Sequence, residues 1–386
     1  MDCCLKVAWY AGMKAITEQS NFIFSPMSLR AGLALLAVGT HGATLRELLT
    51  FLGSENTHHL DAATARLLSN LSFAAGIFVD RTLLLKPETR SSCPPPPLLT
   101  RPSHSLSISR TFLTAEMNAF VEQATAGRIR NLLSDGAVHG DTKVVLANGM
   151  HFKATWARRF DPSDTVPHYF YRRDGEPVWV PFLSDAGMHY AESFDAPGLE
   201  FKVLRCFYKM VGRDGRLDSR APCFCMLIFL PHSDDGLLDL LRLAVTEPDF
   251  VMRCAPRREQ EVCPCKVPKF KFSFAFDAGN ALRQLGLSEP FTYAADLSGM
   301  VSSMPAEGLY VSAMRQTCAV EVDEEARQRL RRRAPFLAQP VPAGHPRRSP
   351  QPMSFVADHP FMFAIVEYEK AELLFLSHVI DPSNED

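Results

Sequence analysis

The chain has 386 residues, 46% of them hydrophobic, enough to bury a core in one large domain or two ordinary ones; this excludes disorder as its overall state. Lys and Arg total 41 against 43 Asp and Glu, a formal net charge of -2, so no global field points to nucleic acid or a membrane surface. Ten cysteines are scattered without the spacing of a disulfide framework and read as free thiols in a reducing compartment.

The first residues, Met1 to Trp9, lack the basic start and long apolar run of a secretory signal, and the Asn70-Leu71-Ser72 sequon is expected to go unused. No stretch approaches the roughly 20 apolar residues of a membrane span. Ser28 to Val38 reads as a buried helix ended near Gly39, and Ala43 to Leu52 as an amphipathic one closed by Gly53. Leu71 to Leu85 turns to strand character, with Phe73, Ile77, Phe78 and Val79 around Gly76. From residue 87 to 110 the pattern dissolves into serines and prolines, including the run Pro94 to Pro97, which predicts loop or polyproline chain.

Leu113 to Leu133 predicts another amphipathic helix, and Lys143 to Phe152 a buried strand followed by Trp156 and Phe160. Strands are predicted over Val178–Phe182, Leu199–Phe207, Cys223–Leu230 and Val262–Phe276, with short helices over Gly236–Leu243 and Phe276–Leu285. Thr317 to Val322 alternates as a strand does, and Phe361 to Val379 reads as a hairpin turning around Glu369-Lys370-Ala371-Glu372. Helices early and strands late make an α+β protein.

Several short stretches, in order, resemble one family. Asn21-Phe-Ile-Phe-Ser-Pro-Met-Ser-Leu29 is similar to the serpin stretch that leads into the second helix, continued by Gly42-Ala-Thr44. Asn148-Gly-Met-His-Phe-Lys-Ala-Thr-Trp156 resembles the strand that carries the serpin breach tryptophan. Val267-Pro-Lys-Phe270, Leu285-Gly-Leu287 and Val356-Ala-Asp-His-Pro-Phe-Met-Phe363 follow in serpin order. The similarity spans roughly residues 5 to 382, and its wording is nearest to plant serpins. It implies a single serpin domain over 1–386 with three β-sheets, eight or nine helices and an exposed reactive loop over about 324–354. It also implies that the segment from Lys86 to Arg110 lacks a helix and a strand the family has there. In inhibitory members a protease cuts the loop and is trapped as an acyl-enzyme while the loop inserts as a new strand of the main sheet; the chemistry is the protease's and the serpin supplies stored strain.

The resemblance makes Glu324, Glu325, Ala326, Arg327, Gln328, Arg329, Leu330, Arg331, Arg332 and Arg333 the hinge of that loop. Insertion places alternate hinge side chains beneath the sheet, where the family uses Gly, Thr and Ala. Here an extended chain puts Arg327, Arg329, Arg331 and Arg333 on one side, and the other register still carries Gln328 and Arg332. A buried, unpaired charge costs several kcal/mol, so four would cost on the order of 10 kcal/mol or more. Among breach and shutter positions, Trp156, Asn148, Ser25 and Ser28 follow the family, whereas Gln316 stands where the family has a histidine. Prolines 335, 340, 342, 346, 350 and 352 donate no ladder bond and keep the rest of the loop out of a central strand. Counting back from Phe355, the reactive bond would be Arg348-Ser349, with Arg347 as the alternative.

The expected function is therefore a non-inhibitory serpin, with two alternatives: a working suicide inhibitor of serine or cysteine proteases, or an interaction module built on the basic loop. The expected partner is a serine or cysteine protease, met as target or merely as the enzyme that cuts the loop. A monomer without membrane contact is expected, in the cytoplasm or nucleus, with an extracellular place as the family's alternative. Nucleic acid and polyanions are disfavoured partners, because Arg327 to Arg333 with Arg347 and Arg348 reads first as a solvated loop. No hydrolase signature is present, so no enzyme and no cofactor are expected. Cys223/Cys225 and Cys263/Cys265 form CxC pairs about 40 residues apart, which reads as structural thiols and no metal, as do Cys3, Cys4 and Cys318. His58 and His59 fall in a polar loop, and His359 reads as a turn or core residue.

Overall fold

A computed structural model describes residues 3–56, 72–80, 83–84, 86, 110–125, 127–130, 132–133, 142–196, 198–210, 217–302, 308–324 and 352–384. Strands β1 (Phe22–Phe24), β2 (Ser72–Val79), β3 (Val144–Phe152), β4 (Val166–Tyr171), β5 (Pro177–Ala196), β6 (Leu199–Phe207) and β7 (Phe224–Pro231) are followed by β8 (Glu259–Pro268), β9 (Phe270–Asp277), β10 (Val311–Val322), β11 (Met353–Val356), β12 (Phe361–Glu367) and β13 (Glu372–Val379). The helices are α1 (Cys3–Thr17), α2 (Pro26–Val38), α3 (Gly42–Leu52), α4 (Arg110–Ala124), α5 (Leu237–Thr246), α6 (Phe250–Arg253) and α7 (Ala278–Gln284).

The expected α+β character holds, but the described residues form two sheets where the resemblance implies three. The larger sheet, nine-stranded, runs β1-β13-β12-β7-β6-β5-β8-β11 with β4 also on β5. It is continuous because β5 is 20 residues long: its first part pairs with β4, its middle with β8 and its end with β6. The second sheet is β2-β3-β10-β9. Seven α-helices lie among the described residues, against an expectation of eight or nine for the whole chain.

Local chemistry explains where the boundaries differ from expectation. Helix α2 starts before Ser28, at Pro26, because Ser25 caps it: the Ser25 hydroxyl accepts from the Ser28 amide at 3.1 Å, and proline suits the first helical turn. The helix predicted over Leu113–Leu133 ends at Ala124. Thr125 turns its hydroxyl to the Val121 carbonyl and the Ile129 amide, and Gly127 takes φ +76°, so the chain unwinds. The single strand predicted over Val262–Phe276 is two strands that change sheet at Lys269, whose amide instead donates to the Pro181 carbonyl at 2.8 Å. Proline 268 cannot donate to a ladder there, which favours the break.

Three apolar clusters hold the layers together. Helices α1, α2, α3, α5 and α7 pack on one end of the sheets through residues such as Val7, Leu33, Leu240 and Leu282. Between the sheets lie Phe152, Trp156, Phe182, Phe270, Phe363 and Phe375. Helix α4 and the chain after it cover the opposite face of the smaller sheet through Met117, Val121 and Ile129, which meet Val145 and Ala147 of β3. Both faces of β3 are thus covered, and all nine of its residues are buried. The N- and C-terminal regions are tied by Asn21, whose side chain donates to the Asp381 carbonyl at 2.6 Å and accepts from the Ile380 and Asp381 amides.

Glycine 149 sets how closely α4 approaches: a Cβ there would lie 2.7 Å from Val121 Cγ1 and 3.4 Å from Ile129 Cδ1. Gly149→Val is expected to lift α4 off the sheet and lower stability by about 1–3 kcal/mol, the usual cost of overpacking, read from urea unfolding.

Candidate functional site

In the smaller sheet β2 and β3 run antiparallel, as do β9 and β10, while β3 and β10 run parallel, from Val311 opposite Val144 to Val320 opposite Phe152. A strand that left β10, reversed and entered between β10 and β3 would make the whole sheet antiparallel, the pairing with the better hydrogen-bond geometry. This seam is therefore the site that the fold offers to the segment following β10.

Side chains alternate about it. Leu146, Asn148, Met150 and Phe152 of β3 face inward with Met314, Gln316, Cys318 and Val320 of β10, whereas Ala147, Gly149 and His151 face outward with Thr317, Ala319 and Glu321. At mid-seam the inner face is polar. Gln316, only 2% exposed, donates through Nε2 to the Ser25 carbonyl at 3.0 Å and the Ser28 hydroxyl at 2.6 Å. Asn148, its register partner on β3, donates through Nδ2 to the Ser28 carbonyl. Both strands are thereby fastened to the first turn of α2. The other oxygens of the two amides, Asn148 Oδ1 and Gln316 Oε1, accept no hydrogen bond from the protein.

The upper end of the seam holds the last described residues before position 325. Trp156 donates through Nε1 to the Asp323 carbonyl at 2.9 Å, and its ring stacks on Tyr208 with centroids 4.4 Å apart. Lys153 Nζ meets Glu321 at 2.7 Å and Asp323 at 3.3 Å; Arg128 meets Glu321 at 3.3 Å, and Lys269 meets Glu324 at 2.7 Å. Burial works against the charge on Glu321, but the Lys153 hydrogen bond and the Lys153 and Lys271 charges outweigh it and lower its pKa. Glu324 is lowered in the same way: burial is overcome by Lys269, a backbone amide and the Thr165 hydroxyl. Lys153 and Lys269 both lie inside motifs quoted from the sequence, yet only the fold shows that they converge on one acidic strand end.

On the outer face, beside this clasp, a cavity of about 710 Å³ is lined by Arg128, Arg130, His151 and Lys271 together with Thr317, Ala319 and Glu321. His151 is 6% exposed. Burial, joined by the charges of Arg128, Lys153 and Lys271 and opposed by Glu321, brings its pKa down from 6.5 to about 4. The outer face of the seam is thus already cationic.

Of the sequence-derived positions, Ser25, Ser28, Asn148 and Gln316 meet in one cluster, and Trp156 and Glu324 sit at the seam's upper end. Glu325 to Arg333, Arg347, Arg348 and Ser349 lie outside the described residues, as do His58, His59, Asn70 and Pro94 to Pro97. The two CxC pairs are far apart: β7 and β8 are separated by β6 and β5, three strand spacings or about 14 Å, too far for one tetrahedral ion. Cys225 and Cys265 are buried, and desolvation pushes the Cys225 thiol up to about 12 and Cys265 higher still. His359 bridges the Asp358 carboxylate at 2.9 Å and the Pro231 carbonyl at 2.8 Å, pinning the chain after β11 to the end of β7. No described helix is long and apolar enough to cross a membrane.

Comparison with known proteins agrees with this geometry. The family model described as "Serpin (serine protease inhibitor)" matches residues 5–382. The rice (Oryza sativa subsp. japonica) proteins named "Putative non-inhibitory serpin-10" and "Putative non-inhibitory serpin-Z11" are 59% and 50% identical, each alignment covering 100% of both chains. Serpin-Z1C of wheat (Triticum aestivum) is 36% identical over 94% of this chain and 90% of its own. Among solved structures, Arabidopsis AtSerpin1 in its native stressed conformation superposes with a TM-score of 0.80 at 31% identity, covering 100% of both chains.

The lowered pKa of His151 has a signed consequence. Between pH 6.5 and about 4 the unfolded histidine takes up a proton that the folded one refuses, so stability falls as pH drops through that window. At 1.36 kcal/mol per pH unit the full loss is about 3 kcal/mol. His151→Gln is expected to remove that part of the acid sensitivity, seen as a flatter urea midpoint between pH 7 and pH 4.5; an unchanged slope would contradict it.

Proposed function

The chain belongs to the serpin family, and from that premise we propose that it is a non-inhibitory serpin, one domain over 1–386 whose loop can be cut but does not insert. The observation that carries this reading is the closure of the seam to charge on both faces. Inward lie Met314, Cys318, Val320, Met150 and Phe152 around the Ser25–Ser28–Asn148–Gln316 cluster. Outward lie α4 and a cavity lined by Arg128, Arg130 and Lys271. An inserted hinge would direct Arg327, Arg329, Arg331 and Arg333 either into apolar packing or against these like charges, and Arg332 into whichever face remained. Neither register offers a carboxylate for each guanidinium; Glu321 is already held by Lys153 and Arg128.

The finer assignments follow from the same premise. Trp156 with the Lys153–Glu321–Asp323 and Lys269–Glu324 pairs forms the breach, and Ser25, Ser28, Asn148 and Gln316 form the shutter, with glutamine doing through Nε2 what the family's histidine does there. The long sheet built around β5 unites the second and third sheets of the family. The reactive bond is Arg348-Ser349, or the bond after Arg347, a site suited to proteases that cut after arginine. The location is the cytoplasm or nucleus. Names of relatives support the reading: two rice proteins similar along the full chain carry "non-inhibitory" in theirs.

A second reading, a working inhibitor, is favoured by the intact clasp at Trp156, Lys153 and Glu324 and by the description of the matching family model as a serine protease inhibitor. The two separate in one assay. Incubated with trypsin, the protein is expected to be cleaved in the segment 325–351 with no SDS-stable complex, and the protease is expected to remain active. A covalent complex formed at a ratio near one protein per protease would overturn the proposal.

A further inference from the structure

Strands β4 and β5 make a hairpin whose two faces differ sharply. Phe170, Val180 and Phe182 point into the core between the sheets. On the opposite face Pro167, Tyr169 and Tyr171 of β4 stand beside Pro181, Trp179 and Pro177 of β5, register partner by register partner, and all six are exposed. Trp179 is 60% exposed, Tyr169 49% and Tyr171 47%. The rings are ordered: Tyr169 meets Trp179 edge-on at 4.6 Å and lies 6.5 Å from Tyr171. Aromatic side chains this large, grouped with prolines on one rigid hairpin and facing solvent, mark an interaction surface. Their chemistry also specifies an occupant. A ladder of Tyr and Trp rings is what proline-rich, extended segments dock on, and the same rings attract guanidinium groups.

We propose that this face is the docking surface for the proline- and arginine-rich segment 334–350 of the same chain. That segment contains Pro335, Pro340, Pro342, Pro346 and Pro350 with Arg347 and Arg348. Continuity places it at the right spot. Glu324, the last described residue before the segment, pairs with Lys269, whose backbone amide donates to the carbonyl of Pro181 on this very face. The chain therefore departs from one end of the aromatic face. It returns at Met353, opposite Val262 on β8, which is itself a neighbour of β5. The 27 residues from 325 to 351 span up to about 90 Å when extended, ample for a six-residue strand about 20 Å long. Docking concerns the uncleaved chain, so it stands whether or not a cut loop inserts.

The test uses the full-length protein and the fluorescence of Trp179. Of the three tryptophans, Trp156 is buried and Trp9 partly so, which leaves Trp179 to dominate quenching by acrylamide. Replacing the five prolines by serine (Pro335→Ser, Pro340→Ser, Pro342→Ser, Pro346→Ser, Pro350→Ser) is expected to raise the quenching constant about two- to three-fold as the ring is uncovered. In a second arm, Tyr169→Ala with Trp179→Ala is expected to speed trypsin cleavage within 325–351 about five- to ten-fold at an unchanged melting temperature. Equal quenching, or an equal cleavage rate, overturns the proposal. Quenching that falls with protein concentration and ignores the proline changes would also overturn it, assigning the face to a second copy of the chain.

Discussion

The parallel pairing of β3 with β10 is the constraint on which the rest depends. It brings the two strands together with the same direction in a sheet whose other pairs are antiparallel, and it leaves one place where an extra strand would improve the pairing. What keeps that place shut is a small polar knot. The capping turn of α2 holds β10 through Gln316 and β3 through Asn148, so helix and strands move as one unit or separate together. The knot sits at the middle of the seam, where Gln316 and Asn148 stand opposite each other.

What sets this chain apart from inhibitory serpins in this reading is the charge of the segment meant to enter a seam that is closed to charge on both faces. The acidic strand end is caught by Lys153, Arg128 and Lys269 and packed under Trp156, so the entry remains built. Directly beyond it the sequence supplies arginines. The inner face offers them aromatic and aliphatic packing, and the outer face offers Arg128, Arg130 and Lys271. A serpin in which entry is preserved and passage is closed would give a protease its substrate and no trap, since insertion that is slower than deacylation releases the enzyme.

Much of this was legible in the sequence because its cause is local. Gly53 announces a helix end, and the motif from Asn148 to Trp156 a strand with its tryptophan; the start of α2 is just as local in its cause, the Ser25 cap, yet the apolar run alone places it two residues late, at Ser28. Gln316 could be placed by counting from the hinge, and the fold brings it to Ser28. Other features depend on partners distant in sequence. That Lys269 breaks one predicted strand into two is decided by its bond to Pro181, nearly ninety residues earlier in the chain. The 20-residue length of β5 was hidden because its successive parts are stabilised by different neighbours, β4, β8 and β6, and its exposed stretches carry no apolar period. The basic lining of the outer cavity comes from residues on three separate elements, a convergence no single window of sequence contains.

The central claim is that the cut loop stays out of the sheet, and the most direct measurement is the melting temperature before and after a single cut in the segment 325–351. Insertion adds a full strand and its ladder to the sheet, and a protein that inserts becomes far more heat-stable once cleaved. A melting temperature that is unchanged or lower after cleavage is expected. A rise of some tens of degrees would contradict it.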